Sequence, residues 1–137
     1  MEQAILCCVN GSAHARRAIE LAVDMAKGLG RELVFLLVNQ TRPASGYPPI
    51  KAVSEEEARE ILDIAMRHAR TNGVREVRRA LIEARDVAEA ILKFAEETNA
   101  GHIVVGTGNP PLIGRLLLGS VSEAVVARAK CSVTVAR

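Results

Sequence analysis

Two short stretches concentrate the small polar residues with which a backbone can hold a ligand: Asn10-Gly11-Ser12 and Gly106-Thr107-Gly108-Asn109. A third, Gly119-Ser120, opens a helical pattern, and the unpaired N–H groups and dipole at a helix start favour an anion such as phosphate. Taken singly, each has an ordinary reading, in which the glycines make turns and Ser12 and Ser120 cap helices. The chemistry of acids and nucleophiles is poorly represented. His14, His68 and His102 are far apart, with no carboxylate or cysteine at metal-ligand spacing, and read as ordinary surface or core histidines. Ser12 and Ser120 lack an evident general base. Residues 55–57, all glutamate, read as a solvated helix start. No Walker lysine follows Gly114 or Gly119, and no G-x-G-x-x-G joins the first strand to the first helix, which argues against P-loop and dinucleotide sites. A phosphorelay receiver needs clustered acids after its first strand, where this chain has Asn10.

What gives the three stretches weight is the order of elements that carries them. Residues 4–9, 33–38 and 103–105 are near-continuous apolar runs, as expected of parallel strands buried on both faces. Residues 77–82 carry Arg78 and Arg79, and Ser132–Ala136 alternates polar with apolar, so both predict edge strands. Between them, Ala15, Ala18, Ile19, Ala22 and Met25 follow helical spacing, with Gly28 and Gly30 as the stop. Ser54 and Glu57 have the spacing of a capping box ahead of the stripe Ala58, Ile61, Leu62, Ala65 and Ala69. Asp86 is positioned to cap a third helix with Val87, Ala90, Ile91, Phe94 and Ala95 inward. Ser120 and Glu123 repeat the capping-box spacing for a fourth, running to Ala129.

This alternation predicts one α/β domain over residues 1–137, a doubly wound parallel sheet of five strands in the order 3-2-1-4-5 with helices on both faces. The chain reverses direction between the first and fourth strands, and ligands in such sheets bind there, beyond the carboxyl ends. The Asn10 and Gly106 loops meet at that point. The prolines fall after the second strand (Pro43, Pro48, Pro49) and after the fourth (Pro110, Pro111), outside every expected element. Residues 39–53 read as a long loop, the kind that serves as a lid or is disordered.

Composition limits the partners. With 18 Lys plus Arg against 16 Asp plus Glu, the net charge of +2 gives no basic nucleic-acid footprint. The aromatics are Phe35, Tyr47 and Phe94, too few for the stacking platforms that grip single strands, so a bound base must rest on aliphatic groups. No apolar run approaches the ~20 residues of a membrane span, and the first is too short for a signal-peptide core, so a cytoplasmic protein is expected. Cys7, Cys8 and Cys131 have no zinc or disulfide spacing and read as buried thiols.

The glycines and serine from Gly106 through Gly119-Ser120 resemble the signature of the universal stress proteins: glycine, two residues, glycine, nine residues, glycine, then serine or threonine. Residues 5–12, 103–107 and 131–133 resemble that family's first strand and its last two strand entries, so the resemblance spans essentially the whole chain. It implies the Rossmann-like fold of the adenine nucleotide alpha hydrolases and a small stress-response module that binds ATP or another adenine nucleotide, with or without Mg2+. By position, adenine would lie near Val38 and the loop Asn10-Gly11-Ser12, with Asn10 toward the ribose and phosphate side. The phosphates and ribose would lie near Gly106, Thr107, Gly108, Asn109, Gly119, Ser120, Val121 and Ser122. Arg115, close to that loop in sequence, reads either as a group that offsets phosphate charge or as an ordinary surface arginine. Two positions depart from the signature: Asn10 replaces an aspartate and Asn109 a glycine. The resemblance also implies a homodimer paired through Ser132–Ala136. Two other functions fit the same chain, a nucleotide-free dimeric scaffold and a slow ATP hydrolase or phosphotransfer protein. With no committed base, at most very slow hydrolysis is expected.

Overall fold

The computed structural model describes residues 3–11, 13–107 and 118–137. Its elements run β1 (Ile5–Cys8), α1 (Ala13–Leu29), β2 (Leu33–Ala44), β3 (Tyr47–Lys51), α2 (Glu55–Thr71), β4 (Val77–Ala84), α3 (Val87–Glu97), β5 (His102–Gly106), α4 (Ser120–Arg128) and β6 (Ser132–Ala136). The five strands β4, β2, β1, β5 and β6 lie side by side in that order, all parallel to their neighbours. In chain order of the expected strands this is 3-2-1-4-5, with β4 and β6 at the outer positions.

Strand alternation sorts the core into two layers. Ile5 and Cys7 of β1 and Leu33, Phe35 and Leu37 of β2 pack against Ala18, Ala22 and Val23 of α1 and Ala58, Leu62 and Ala65 of α2. Leu6, Val34 and Leu36 point the other way, with Ile103 and Val105 of β5, onto Ala88, Ile91 and Ala95 of α3 and Val125 of α4. Helices therefore cover both faces, and the central strands are apolar throughout because neither face meets water. Gly30, at φ 66°, takes the left-handed turn after α1.

Five expectations from the sequence need correction. Residues 39–53 are not a loop: β2 runs on to Ala44, and β3 returns antiparallel to it as a hairpin, Thr41 opposite Lys51 and Arg42 opposite Ile50. The sheet is accordingly six-stranded and mixed. Pro43 therefore lies inside β2, and Pro48 and Pro49 inside β3. The physical allowance is local. Pro43 sits where the register shifts between Arg42 and Ala44, and β3 is fully exposed, and bulges and edges are where a strand tolerates a missing N–H. The alternation that marks a strand was masked by this proline density.

The remaining two corrections concern caps and thiols. Ser54 caps α2, its Oγ accepting from Glu57 N at 3.1 Å, and Asp86 caps α3, accepting from Glu89 N at 3.0 Å. Ser120, by contrast, does not cap α4: the cap is Gly119, with no side-chain bond, and Ser120 is already helical. Of the cysteines, Cys7 is buried, while Cys8 and Cys131 are only partly so; all three are free. No helix among the described residues is long and apolar enough to cross a membrane.

Candidate nucleotide site

The carboxyl ends of β1 and β5 diverge where the chain reverses, and the gap between them continues into a cavity of about 410 Å3. That volume falls in the range of small-molecule sites, about 300–1,000 Å3. At one end the wall is Asn10 after β1, Gly106 at the end of β5, and Gly119, Ser120, Val121 and Ser122 at the start of α4. Further along it is apolar: Ala52 from the end of the hairpin, Val87 and Ile91 from α3, and Cys8 and Val105 from the strand ends. Gln40 of β2 also lines it.

The polar end is built from backbone. Gly119 N donates to Thr107 O at 2.7 Å, which closes the base of the connection from β5 to α4. Ser122, buried within the first turn of α4, donates from Oγ to Gly106 O at 2.7 Å and so ties the helix start to the strand end. The first intrahelical acceptor of α4 is Gly119 O, taken by Glu123 N at 2.9 Å. The N–H groups of Ser120, Val121 and Ser122 precede that bond and have no intrahelical carbonyl to meet. With no side-chain cap in the way, they form an anion-accepting end to the cavity. Gly119 has φ −65° and ψ 160°, an extended conformation open to any residue. A glycine is useful there for close backbone approach, not for φ.

The opposite wall is set by the hairpin. Asn39 is buried and grips Val53 twice, Nδ2 donating to Val53 O at 2.8 Å and Oδ1 accepting from Val53 N at 3.1 Å. One residue on, Gln40 O accepts from Ala52 N at 2.8 Å, and Gln40 Nε2 donates to Arg85 O at 3.2 Å. Two strands and the start of α3 are thereby fixed around the apolar part of the cavity.

Of the residues singled out from the sequence, Asn10, Gly106, Gly119, Ser120, Val121 and Ser122 line this one cavity. Thr107 stands just behind, accepting from Gly119 N. Gly11 lines a neighbouring groove between α1 and α2 with Ile61, where Ile61 Cδ1 lies 3.5 Å from the position a Cβ would take. Val38 packs in the core layer beneath α3 and α4 and does not reach the cavity wall. Ser12, Gly108, Asn109 and Arg115 lie outside the described residues. Sequence reading missed Gln40, Ala52, Val87 and Ile91. The first two were hidden in the supposed loop. Val87 and Ile91 were legible as helix positions just after the Asp86 cap, the end of a helix that faces the strand carboxyl ends.

Among the described residues, the cavity lining carries no carboxylate, lysine, arginine or histidine. The one titratable lining group among the described residues is Cys8, whose thiol burial pushes up to about 12. No group of three or more His, Cys, Asp or Glu among the described residues could hold a metal ion. His102 lies at the other end of β5, its Nε2 2.6 Å from Thr134 Oγ1 on β6. Burial, and then the charge of Arg31, hold its pKa below the usual value. A wider cavity of about 730 Å3 opens at the amino ends of β5 and β6, lined by Gln3, Glu96 and Lys130. It lies away from the strand ends where doubly wound sheets bind ligands, and its Lys130 is paired with Glu96 at 2.7 Å.

Comparison with known proteins agrees with this geometry. The family model of the Universal stress protein family matches residues 1–137. A curated relative from Staphylococcus aureus (strain USA300), named as a universal stress protein, is 34% identical over 137 residues, covering 97% of this chain and 82% of its own. Among solved structures, a universal stress protein from Archaeoglobus fulgidus superposes with a TM-score of 0.79 at 25% identity over the full length of both chains. A universal stress protein in complex with cAMP gives 0.76 at 26% identity, covering 98% of this chain and 96% of the other. A second Archaeoglobus fulgidus structure, in complex with dAMP, gives 0.75 at 24% identity over 99% and 98% of the two chains. With the full-length family match and the same doubly wound sheet, this chain belongs to the universal stress protein family.

Proposed function

We propose that the protein is a cytoplasmic stress-response module that binds an adenine nucleotide, ATP among them, at the carboxyl end of the sheet and acts by dimerisation or partner contact. The observation that carries this reading is the polarity of the cavity. One end offers the free N–H groups of Ser120, Val121 and Ser122 beside Gly106 and Gly119, and the other offers aliphatic walls from Ala52, Val87 and Ile91. A phosphate suits the first and a base the second. The cAMP complex of a relative at 26% identity supports the same ligand class.

The described lining has no carboxylate, so a magnesium ion bound with the nucleotide would be held by the phosphates and by neutral ligands such as the Asn10 amide. Among the described residues it has no base either: Cys8 stays protonated through the physiological range, and Asn10 stands where the family signature has a carboxylate. Binding without turnover is the consequence. The test is to denature the purified protein and identify the released small molecules by mass spectrometry, then assay ATP hydrolysis. An adenine nucleotide near one per chain with negligible turnover supports the reading. A preparation that carries none and takes up none at millimolar AMP or ATP favours the nucleotide-free scaffold instead.

A further inference from the structure

Among the described residues, Gln40 is the one side-chain amide on the cavity wall away from the anion-binding end, and its orientation is set by the fold. Nε2 donates to the carbonyl of Arg85 at 3.2 Å, and the reversed amide would put two oxygens against each other. Oε1 therefore stays an acceptor. Among the described residues it takes no hydrogen bond. The backbone around it is pinned on both sides, by the hydrogen bond from Ala52 N to Gln40 O at 2.8 Å and by the pair of hydrogen bonds between Asn39 and Val53.

The position along the cavity is informative. Phosphate is drawn to the start of α4, which follows β5, whereas Gln40 belongs to β2, two strands away across β1. At about 4.8 Å per strand that is a separation of roughly 10 Å. The groups beside it, Ala52, Val87 and Ile91, are the apolar surface on which a base would rest. A planar base there meets one fixed acceptor at its edge.

We propose that Gln40 reads the 6-position of a bound purine, its Oε1 accepting from a 6-amino group and opposing a 6-oxo group, so that the site selects adenine over hypoxanthine or guanine. This rests on the nucleotide reading above and assigns a specificity determinant within it. An amino donor completes this open acceptor, whereas a carbonyl in its place sets two acceptors face to face and leaves both desolvated. The aliphatic walls make no such distinction, because they pack either ring equally.

Calorimetric titration of the full chain with AMP, IMP and purine riboside monophosphate, which lacks any 6-substituent, tests the assignment. The wild type should bind AMP about tenfold more tightly than either analogue, the size expected of one buried hydrogen bond. In Gln40→Leu the three affinities should converge to within about threefold, chiefly through loss for AMP. The comparison of ligands on the wild type does not depend on the variant's folding, and circular dichroism checks that the variant retains the native spectrum. Equal affinity of the wild type for AMP and IMP would overturn the role of Gln40 and leave nucleotide binding intact. So would a preference that survives Gln40→Leu unchanged. Failure of the wild type to bind all three would overturn the nucleotide reading and the inference with it.

Discussion

At the scale of single residues, the site depends on groups that hold backbone in place. Ser122 is the clearest. Its hydroxyl is buried and bonded to Gly106 O at 2.7 Å, so it orders the first turn of α4 against the end of β5. Ser122→Ala should cost about 1 kcal/mol of stability in urea denaturation, the usual worth of such a bond. Nucleotide affinity should fall several-fold with it, because the donors of that turn lose their register; unchanged affinity would mean the turn is held by other contacts. Cys8 makes a different prediction. Its folded pKa of about 12 lies above the ordinary 9.0, so the folded state keeps a proton that the unfolded state gives up. Its contribution is complete below about pH 9 and declines as pH rises from 9 toward 12, by up to about 1.4 kcal/mol per pH unit. Buried Cys7 shifts in the same direction. Stability measured at pH 8, 9 and 10 should fall less steeply in Cys8→Ala than in the wild type, and parallel curves would show that Cys8 ionises equally in both states.

At the scale of elements, the hairpin of β2 and β3 divides into a base and a tip. The base, from Asn39 and Gln40 to Ala52 and Val53, is bonded across and lines the cavity. The tip carries Tyr47 and Ile50 into solvent, and none of its residues belongs to either core layer. Thr41 and Lys51 are paired, so an Asn-Gly turn can replace residues 42–50. That truncation should change stability by no more than about 1 kcal/mol and leave AMP affinity within about twofold. A large loss of affinity would make the tip a lid. The same hairpin marks the limit of what was legible beforehand. The buried strands, the Ser54 and Asp86 caps and the strand order follow from hydrophobic continuity, cap chemistry and the rules of parallel sheets, and they are as expected. The hairpin does not follow from its residues, because Pro43, Pro48 and Pro49 suppress every strand signal while an edge position tolerates them. Gln40 and Ala52 of the cavity wall were lost with it. The α4 cap was misplaced by one residue because Ser120 and Glu123 mimic a capping box, whereas the extended residue is Gly119.

At the scale of the whole molecule, β6 is an outer strand whose one neighbour among the described residues is β5, which leaves its other backbone edge to pair with a further strand. Two copies joined antiparallel along this edge would form an isologous interface that closes at two subunits. Light scattering at micromolar concentration should give a mass near twice the 14.7 kDa of the chain, and Val133→Pro should shift it toward one. A wild-type monomer, or a Val133→Pro protein that remains dimeric with native circular dichroism, would place any association elsewhere. The larger question is whether the carboxyl end of the sheet is a nucleotide site. The most direct measurement is calorimetric titration of the wild type and of Gly119→Val with ATP and AMP. Gly119 is buried at the cavity wall, and its φ of −65° accommodates valine, so the substitution fills space without straining the backbone conformation. Saturable binding near one nucleotide per chain, weakened more than tenfold in a Gly119→Val protein that melts cooperatively, is the predicted result. Equal affinity in the two proteins, or no binding to the wild type at millimolar nucleotide, would contradict it.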